Sequence, residues 1–397
     1  MSIDAAEYRA RQRRFADRLD QAGLGGALVV SRGGGTFDRC GDVLYLTGHY
    51  QSYAYMPETP GLFSGRSHAV AVVGTGGECI LCVSVPEYDT NGVVAADVRY
   101  GDDFSSTVAD AVAAIVSTGA PIGLVGADVL PLNLWERLVT KLGEREWRHD
   151  SELLGVLRRI KSPAELDAVR AAAASGRRAA TAFLAAVGPG ARESDAVAAA
   201  VSAAVAEGAG LYFAAVSSGL AVARYTASAF PGWSTRRFEP GDLVRFDIGL
   251  VTGGYLSDFG RTVTVGSPTQ SQQHLLHVLH EALDVTIDAI RPGVAVKDVV
   301  AAGDAALATA GVSLGSTDPA SGLRASYPAH WGHGLGLGWE RPWLVSSEDL
   351  IIQPAMVLAV ERAITLEGTG TAAAEQNLIV TDTGVEVLTA GPAERWS

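Results

Sequence analysis

Phe246-Asp247-Ile248-Gly249-Leu250-Val251-Thr252-Gly253-Gly254-Tyr255-Leu256-Ser257-Asp258-Phe259-Gly260-Arg261-Thr262 is the stretch that decides how this chain folds. It reads as two apolar strands joined through a Gly253-Gly254 turn, with one carboxylate on each strand. Positions 247 and 258 are symmetric about the point between Thr252 and Gly253, so a simple hairpin sets the two aspartates face to face. Like charges opposed in this way destabilise a strand pair, their Cβ atoms lying about 5 Å apart. Burial among Phe246, Ile248 and Leu256 makes two bare carboxylates costlier still. A bound cation resolves the conflict. The plainer alternative is that Arg245 and Arg261 neutralise the pair, or that the register is shifted.

The chain around this segment has 397 residues, more than one core usually serves, so two domains are expected, 1–155 and 156–397. Hydrophobic residues make up 48% and charged residues 19%, a globular balance that excludes wholesale disorder. A net charge of −13 with no basic run argues against nucleic acid or anionic membrane as a partner. The N-terminal MSIDAAEYRARQRRFADRLD is charged and amphipathic, with no apolar signal core, and no apolar run reaches the length of a membrane span. A cytoplasmic protein is expected. Cys40, Cys79 and Cys82 suit a reducing compartment, and the latter two, inside the strand-like CILCVSV, read as buried structural thiols.

Working outward from the hairpin, periodicity predicts a helix over 8–23, strands over 24–30, 42–48, 68–74 and 78–85, and a helix over 105–118. A strand over 122–126 and a helix over 131–143 complete an α/β domain with a mixed sheet. Ser162-Pro163-Ala164-Glu165 then marks a new beginning: a capping serine, a first-turn proline and a glutamate placed to reach back. Helices follow over 166–186, 192–207, 269–291 and 296–311, with strands at 211–217, 243–250, 254–265, 356–364 and 374–381. Helices on an antiparallel sheet make the second half α+β.

Three further segments carry metal-ligating residue types. Glycines around His333 in Gly332-His333-Gly334-Leu335-Gly336 leave the imidazole unobstructed, although a lone histidine is more often a core residue than a ligand. Glu361 ends the apolar run from Met356 to Val360, and Glu375 begins the run through Val380. Positions 361 and 375 are symmetric about Gly368, so a second hairpin sets two more carboxylates side by side. Four carboxylates and one imidazole are oxygen-rich and suit two divalent ions such as Mn²⁺, Co²⁺, Zn²⁺ or Fe²⁺.

These segments resemble the pita-bread metallohydrolases, the family of methionine aminopeptidase, prolidase, aminopeptidase P and creatinase. Asp247-Ile248-Gly249 and Gly254-Tyr255-Leu256-Ser257-Asp258 with Arg261-Thr262 are similar to its aspartate hairpin. Gly332-His333-Gly334-Leu335-Gly336-Leu337 is similar to its metal-histidine segment, and Glu361 and Glu375 to its two glutamates. Arg158-Arg159-Ile160-Lys161-Ser162-Pro163-Ala164-Glu165-Leu166 resembles its interdomain junction, and Tyr45-Leu46-Thr47-Gly48 a strand of its N-terminal domain. The resemblance implies a creatinase/prolidase-like N-terminal domain followed by a pita-bread catalytic domain. It implies two divalent ions on Asp247, Asp258, His333, Glu361 and Glu375, and hydrolysis of an amide or peptide-like C–N bond in a small, Xaa-Pro-like substrate. Glu361 or Glu375 would take the proton, and a homodimer is expected.

The chain departs from the peptidases where they place two substrate histidines. Arg224 stands in one position, within Ser217-Ser218-Gly219-Leu220-Ala221-Val222-Ala223-Arg224-Tyr225, and Glu340-Arg341-Pro342 occupies the other. An arginine fork can grip a carboxylate and Glu340 can act as acid or base, against the alternative of local ion pairs such as Glu340–Arg341. The catalytic candidates are therefore Glu361, Glu340 and Arg224, and the substrate contacts Arg224, His330, Trp339, Glu340 and Arg341. Trp331, Trp339 and Trp343 either wall an apolar pocket or pack the core. His274, His277 and His280 read as a solvated helix face, and His49 to Tyr55 with Arg66-Ser67-His68 as a polar, aromatic patch. Two other readings stand beside the peptidase: a relative acting on a small zwitterionic metabolite, by hydrolysis or elimination, and a metal-free binding module.

Overall fold

The computed structural model describes residues 3–34, 39–51, 59–227, 231–314, 321–326 and 330–390, with side chains throughout except over 224–227. Contacts divide the chain into two compact units, Met1–Arg158 and Arg159–Ser397. Among the described residues no helix is long and apolar enough to cross a membrane.

The first unit begins with helix α1 (Ala5–Gln21), capped by the Asp4 side chain. It continues through β1 (Gly26–Arg32), α2 (Gly41–Thr47), β2 (His68–Gly74), β3 (Cys79–Val83), β4 (Asp97–Arg99) and α3 (Phe104–Ile115). Then come β5 (Ile122–Val125), α4 (Leu132–Leu142), β6 (Trp147–His149) and α5 (Glu152–Arg159). The strands form one mixed sheet in the order β4-β3-β2-β1-β5-β6. β1, β2 and β3 are buried almost end to end, which is why they read as continuous apolar runs rather than alternating ones. Cys79 and Cys82 lie inside β3 as free thiols, pushed up to about 12 by burial. The stretch 42–48 differs from the sequence reading. It is the helix α2 and not a strand, ended by Gly48 at φ 74°. A left-handed glycine after an apolar run is a helix stop, and the β-branched, aromatic composition of the run masked it. In the polar, aromatic patch, residues 52–58 lie outside the described residues, while His49 and His68 are buried.

The second unit repeats one order of elements. Helices α6 (Pro163–Ala186) and α7 (Glu193–Val205) precede strands β7 (Gly210–Ser218), β8 (Leu243–Thr252) and β9 (Tyr255–Thr264). Helices α8 (Gln270–Ala289) and α9 (Val296–Thr309) precede β10 (Leu323–Ser326), β11 (Gly332–Leu335), β12 (Trp339–Trp343), β13 (Val357–Leu366), β14 (Gly370–Val380) and β15 (Val385–Val387). The strands form a three-stranded sheet, β7-β8-β9, and a larger one, β12-β11-β13-β14-β15, with β10 also paired to β13.

The start of α6 fixes its place on the first sheet. Ser162 accepts from Glu165 N at 3.3 Å and Glu165 accepts from Ser162 N at 3.0 Å, the reciprocal capping box the sequence predicts. The second oxygen of Glu165 accepts from the Tyr255 hydroxyl at 3.0 Å, tying the helix to the first residue of β9. Phe183 of α6 then stacks on Phe246, with ring centroids 4.2 Å apart, and Phe246 on Phe259 at 6.4 Å. Closure this tight needs Gly176, where a Cβ would stand 2.7 Å from the Ser257 hydroxyl.

Strand period then sorts the side chains. Phe246, Ile248, Leu250 and Phe259 join the core under α6 and α7, so Asp247 and Asp258 face the other way. In the second sheet Leu358, Val360 and Ile364 of β13, with Ala372, Ala374 and Leu378 of β14, pack beneath α8 and α9. Glu361 and Glu375 therefore also face away from their helices. Each buried aliphatic side chain contributes about 1.5–3 kcal/mol, so reversing either face would be prohibitive.

Candidate metal centre

The aspartate hairpin pairs Thr252 with Tyr255, which places Asp247 opposite Gly260 and Asp258 opposite Gly249. The expectation that the two aspartates oppose each other is thus corrected by two residues. Gly253 and Gly254 both have positive φ, 58° and 89°, and form the two-residue loop themselves, centring the turn between them. The aspartates are diagonal neighbours on one face, each across from a glycine. The second hairpin has the expected register, with Glu361 directly opposite Glu375.

β9 and β14 bring the two hairpins together through side chains. Asn377 accepts from Asp258 N at 3.0 Å and donates to Asp258 O at 2.7 Å. Thr262 does the same to Ala373, donating to its carbonyl at 3.0 Å and accepting from its N–H at 2.8 Å. Arg261, stacked 4.2 Å over the Phe259 ring, donates to the carbonyls of Gly260, Glu375 and Thr389 and to the Gln376 side chain. At the junction, a Cβ on Gly260 would stand 3.0 Å from Glu375 Oε2 and 3.6 Å from Asp247 Cγ. That glycine leaves the space in which the carboxylates meet.

His333 on β11 completes the group. Its Nδ1 lies 3.0 Å from the Gly334 carbonyl, and a carbonyl only accepts, so the ring proton sits on Nδ1. The Nε2 lone pair is thereby turned toward Asp258 Oδ2 at 3.7 Å and Glu361 Oε1 at 4.0 Å. Burial pulls His333 down to about 4, leaving it neutral at neutral pH, as a metal ligand must be. The ligand atoms of Asp258, His333 and Glu375 all lie within 4.8 Å of one another.

The electrostatics are those of a cation site. Burial, with Asp247 alongside, pushes the Asp258 carboxyl well above its ordinary range. Burial, then Asp258, Asp247 and Glu361, do the same to Glu375. Glu361 is pushed up to about 8 by burial and Asp247, against Arg245 and Arg362. Among the described residues, Asp258 Oδ1 and both oxygens of Glu375 are buried without a hydrogen-bond partner. Buried carboxylate oxygens are otherwise partnered, and divalent ions are the partners this donor set fits.

The other predicted residues are placed as follows. His330 borders the carboxylates, its Nδ1 accepting from Gly332 N at 3.1 Å and lying 3.6 Å from Glu361 Oε1. Trp339 donates its indole N–H to Asp258 Oδ2 at 2.7 Å, and Trp343 packs against His333 and His330 with centroids 5.2 and 5.4 Å away. Trp331 is a core residue that donates to Asp304 at 2.8 Å. Glu340 pairs with the buried Lys161, and Arg341 makes a bidentate pair with Glu348 at 2.7 and 2.9 Å. The backbone at Arg224 lies in a short 3₁₀ helix, Gly219–Ala227, and its side chain is outside those described. His274 and His277 are exposed on α8, while the half-buried His280 is pulled down to about 4. Sequence reasoning assigned no contact to Asn377, Thr262 or Lys161, whose bonds to Asp258, Ala373 and Glu340 each span more than a hundred residues.

The family model of metallopeptidase family M24 matches residues 167–382 of this chain. The probable dipeptidase PepE of Mycobacterium tuberculosis is 33% identical over 280 residues, 70% of each chain. Among solved structures, dipeptidase PepE from Mycobacterium ulcerans is 28% identical and superposes with a TM-score of 0.76, covering 99% of this chain and 98% of that one. The prolidase of Pyrococcus horikoshii has the same fold, with a TM-score of 0.76, 20% identity, and 97% and 99% of the two chains covered.

Proposed function

This chain belongs to metallopeptidase family M24, with the pita-bread fold of its Xaa-Pro peptidase-like members, and on that footing we propose that it is a dinuclear hydrolase. Its substrate would be a small molecule or short peptide with an amide or peptide-like C–N bond, of the Xaa-Pro type. The observation that carries the reading is the set of partnerless buried oxygens on Asp258 and Glu375 beside the Nε2 lone pair of His333. Asp247, Asp258, His333, Glu361 and Glu375 would hold the ions. Divalent ions held there supply Lewis-acid polarisation of a carbonyl and a water acidic enough to ionise near neutrality.

The protein's own residues divide the remaining work. Of the two glutamates, Glu361 has the solvent access, 17% exposed against 2% for Glu375, and it lies beside His330. Proton transfer to and from the reacting water is therefore assigned to Glu361, with His330 at its side. Trp339 and Trp343, 37% and 41% exposed, flank His333 with their rings.

A second reading keeps the fold and the ions but takes a small zwitterionic metabolite as substrate. It is favoured by Glu340, which is tied to Lys161 at a position where peptidases of this fold carry an imidazole. The test is metal analysis of protein never exposed to chelators, followed by assays with Mn²⁺, Co²⁺, Zn²⁺ or Fe²⁺ on Xaa-Pro dipeptides and a panel of zwitterionic amides. Two ions per chain with Xaa-Pro turnover is the expected result. A metal content near zero overturns the reading, and intact dipeptides with every metal transfer it to the metabolite.

A further inference from the structure

We propose that Trp339 is a positioning residue of the metal centre, its indole N–H orienting Asp258 as a ligand while the neighbouring Lys161–Glu340 pair holds Trp339 in place. The inference rests on the metalloenzyme reading above. Trp339 Nε1 donates to Asp258 Oδ2 at 2.7 Å, while Asp258 Oδ1 has no hydrogen-bond partner among the described residues. One oxygen is tethered and the other is left for an ion. An indole N–H is a donor only, so it neither accepts a proton nor competes for a cation. Donors behind a ligand govern how well it binds metal.

The surroundings of Trp339 are built to keep it there. Its ring packs against Tyr212, Phe213 and His333, with centroids 5.3, 5.7 and 5.9 Å away. Phe213 fits because the residue across from Asp258 is Gly249, where a Cβ would stand 2.4 Å from the Phe213 ring. The next residue, Glu340, pairs with Lys161, and both side chains are nearly buried, at 12% and 2% exposed. Space for that pair comes from Gly336, where a Cβ would lie 3.0 Å from the Glu340 carboxylate and 3.2 Å from Lys161 Cε. A buried ion pair adds little net stability but fixes geometry, which is what a donor behind a ligand requires.

The experiment titrates Co²⁺ into wild type, Trp339→Phe and Trp343→Phe, reading affinity calorimetrically and the ligand field by visible absorption. Phenylalanine keeps the ring packing and deletes the N–H. Trp339→Phe is expected to weaken Co²⁺ binding roughly 10–100-fold and alter its spectrum, with Trp343→Phe within about threefold of wild type. Equal affinity in Trp339→Phe, or equal weakening in both variants, overturns the proposal. Should Trp339→Phe lose its cooperative melt, the double variant Lys161→Met/Glu340→Gln keeps the indole and frees its strand. That variant is expected to bind Co²⁺ several-fold more weakly, and unchanged affinity overturns the proposal. A wild-type protein that takes up no Co²⁺ instead refutes the metalloenzyme reading itself.

Discussion

Asn377 on β14 holds both backbone groups of Asp258 on β9, accepting from its N–H at 3.0 Å and donating to its carbonyl at 2.7 Å. A side chain stands in for a backbone ladder at the point where the two sheets meet. The same device recurs between Thr262 and Ala373. Asn377 is itself anchored, its N–H donating to the Thr389 hydroxyl at 2.8 Å. The carboxylates are thus placed by contacts their own strands do not supply.

Replacing Asn377 with alanine strands a buried N–H and a buried carbonyl of Asp258. The loss should be about 2–6 kcal/mol of stability, from about 1–3 kcal/mol for each stranded group. Metal affinity should fall with it. Urea denaturation and metal titration of Asn377→Ala check this, and wild-type values in both would contradict it.

Asp258→Asn should remove metal uptake and turnover together. It should also make the metal-free chain more stable than metal-free wild type, because it deletes one of several buried like charges. Melting curves in chelator, beside metal analysis, read both effects. A variant less stable than wild type without metal would show that the carboxylates are already compensated by the protein.

Removing metal should expose a pH dependence of definite sign. In the metal-free chain Glu361 is pushed from its ordinary 4.5 up to about 8, and Asp258 and Glu375 move the same way. A raised acid means the folded state holds its proton more tightly than the unfolded state does. Stability should therefore fall as pH rises from about 4.5 toward 8, and bound ions should abolish that slope. Melts between those limits, with and without chelator, decide it; a metal-free midpoint that rises with pH is the contrary outcome.

Gly260→Ala puts a methyl group 3.0 Å from Glu375 Oε2, closer than nearly all real contacts of that kind. The helices and sheets should survive, since Gly260 has an ordinary backbone conformation and is absent from the positive-φ glycines. Metal affinity should drop by about tenfold or more, as for other displaced ligands. Unchanged circular dichroism with weakened Co²⁺ binding is the expected pair of results.

Much of this molecule was legible in one dimension because period and symmetry are local. Alternation along 246–250 and 358–364 assigns apolar residues to the helices and acids to the opposite face. Symmetry about Gly368 sets Glu361 against Glu375, and Ser162 to Glu165 announce α6. The hairpin of Asp247 and Asp258 resisted the same treatment by two residues, because adjacent glycines allow more than one loop centre. The stretch from Asp42 to Gly48 resisted it because seven residues are too few for period to separate helix from strand.

The sequence by itself determined which residue types are present and the phase in which each strand presents them, since side-chain direction follows from backbone period alone. Only the tertiary structure decided that β9 lies against β14, that Trp339 reaches Asp258, and that Glu340 pairs with Lys161. Those contacts join residues 81 to 179 positions apart, and they form where packing two sheets and four helices leaves room. Spacing along a chain carries no term for that.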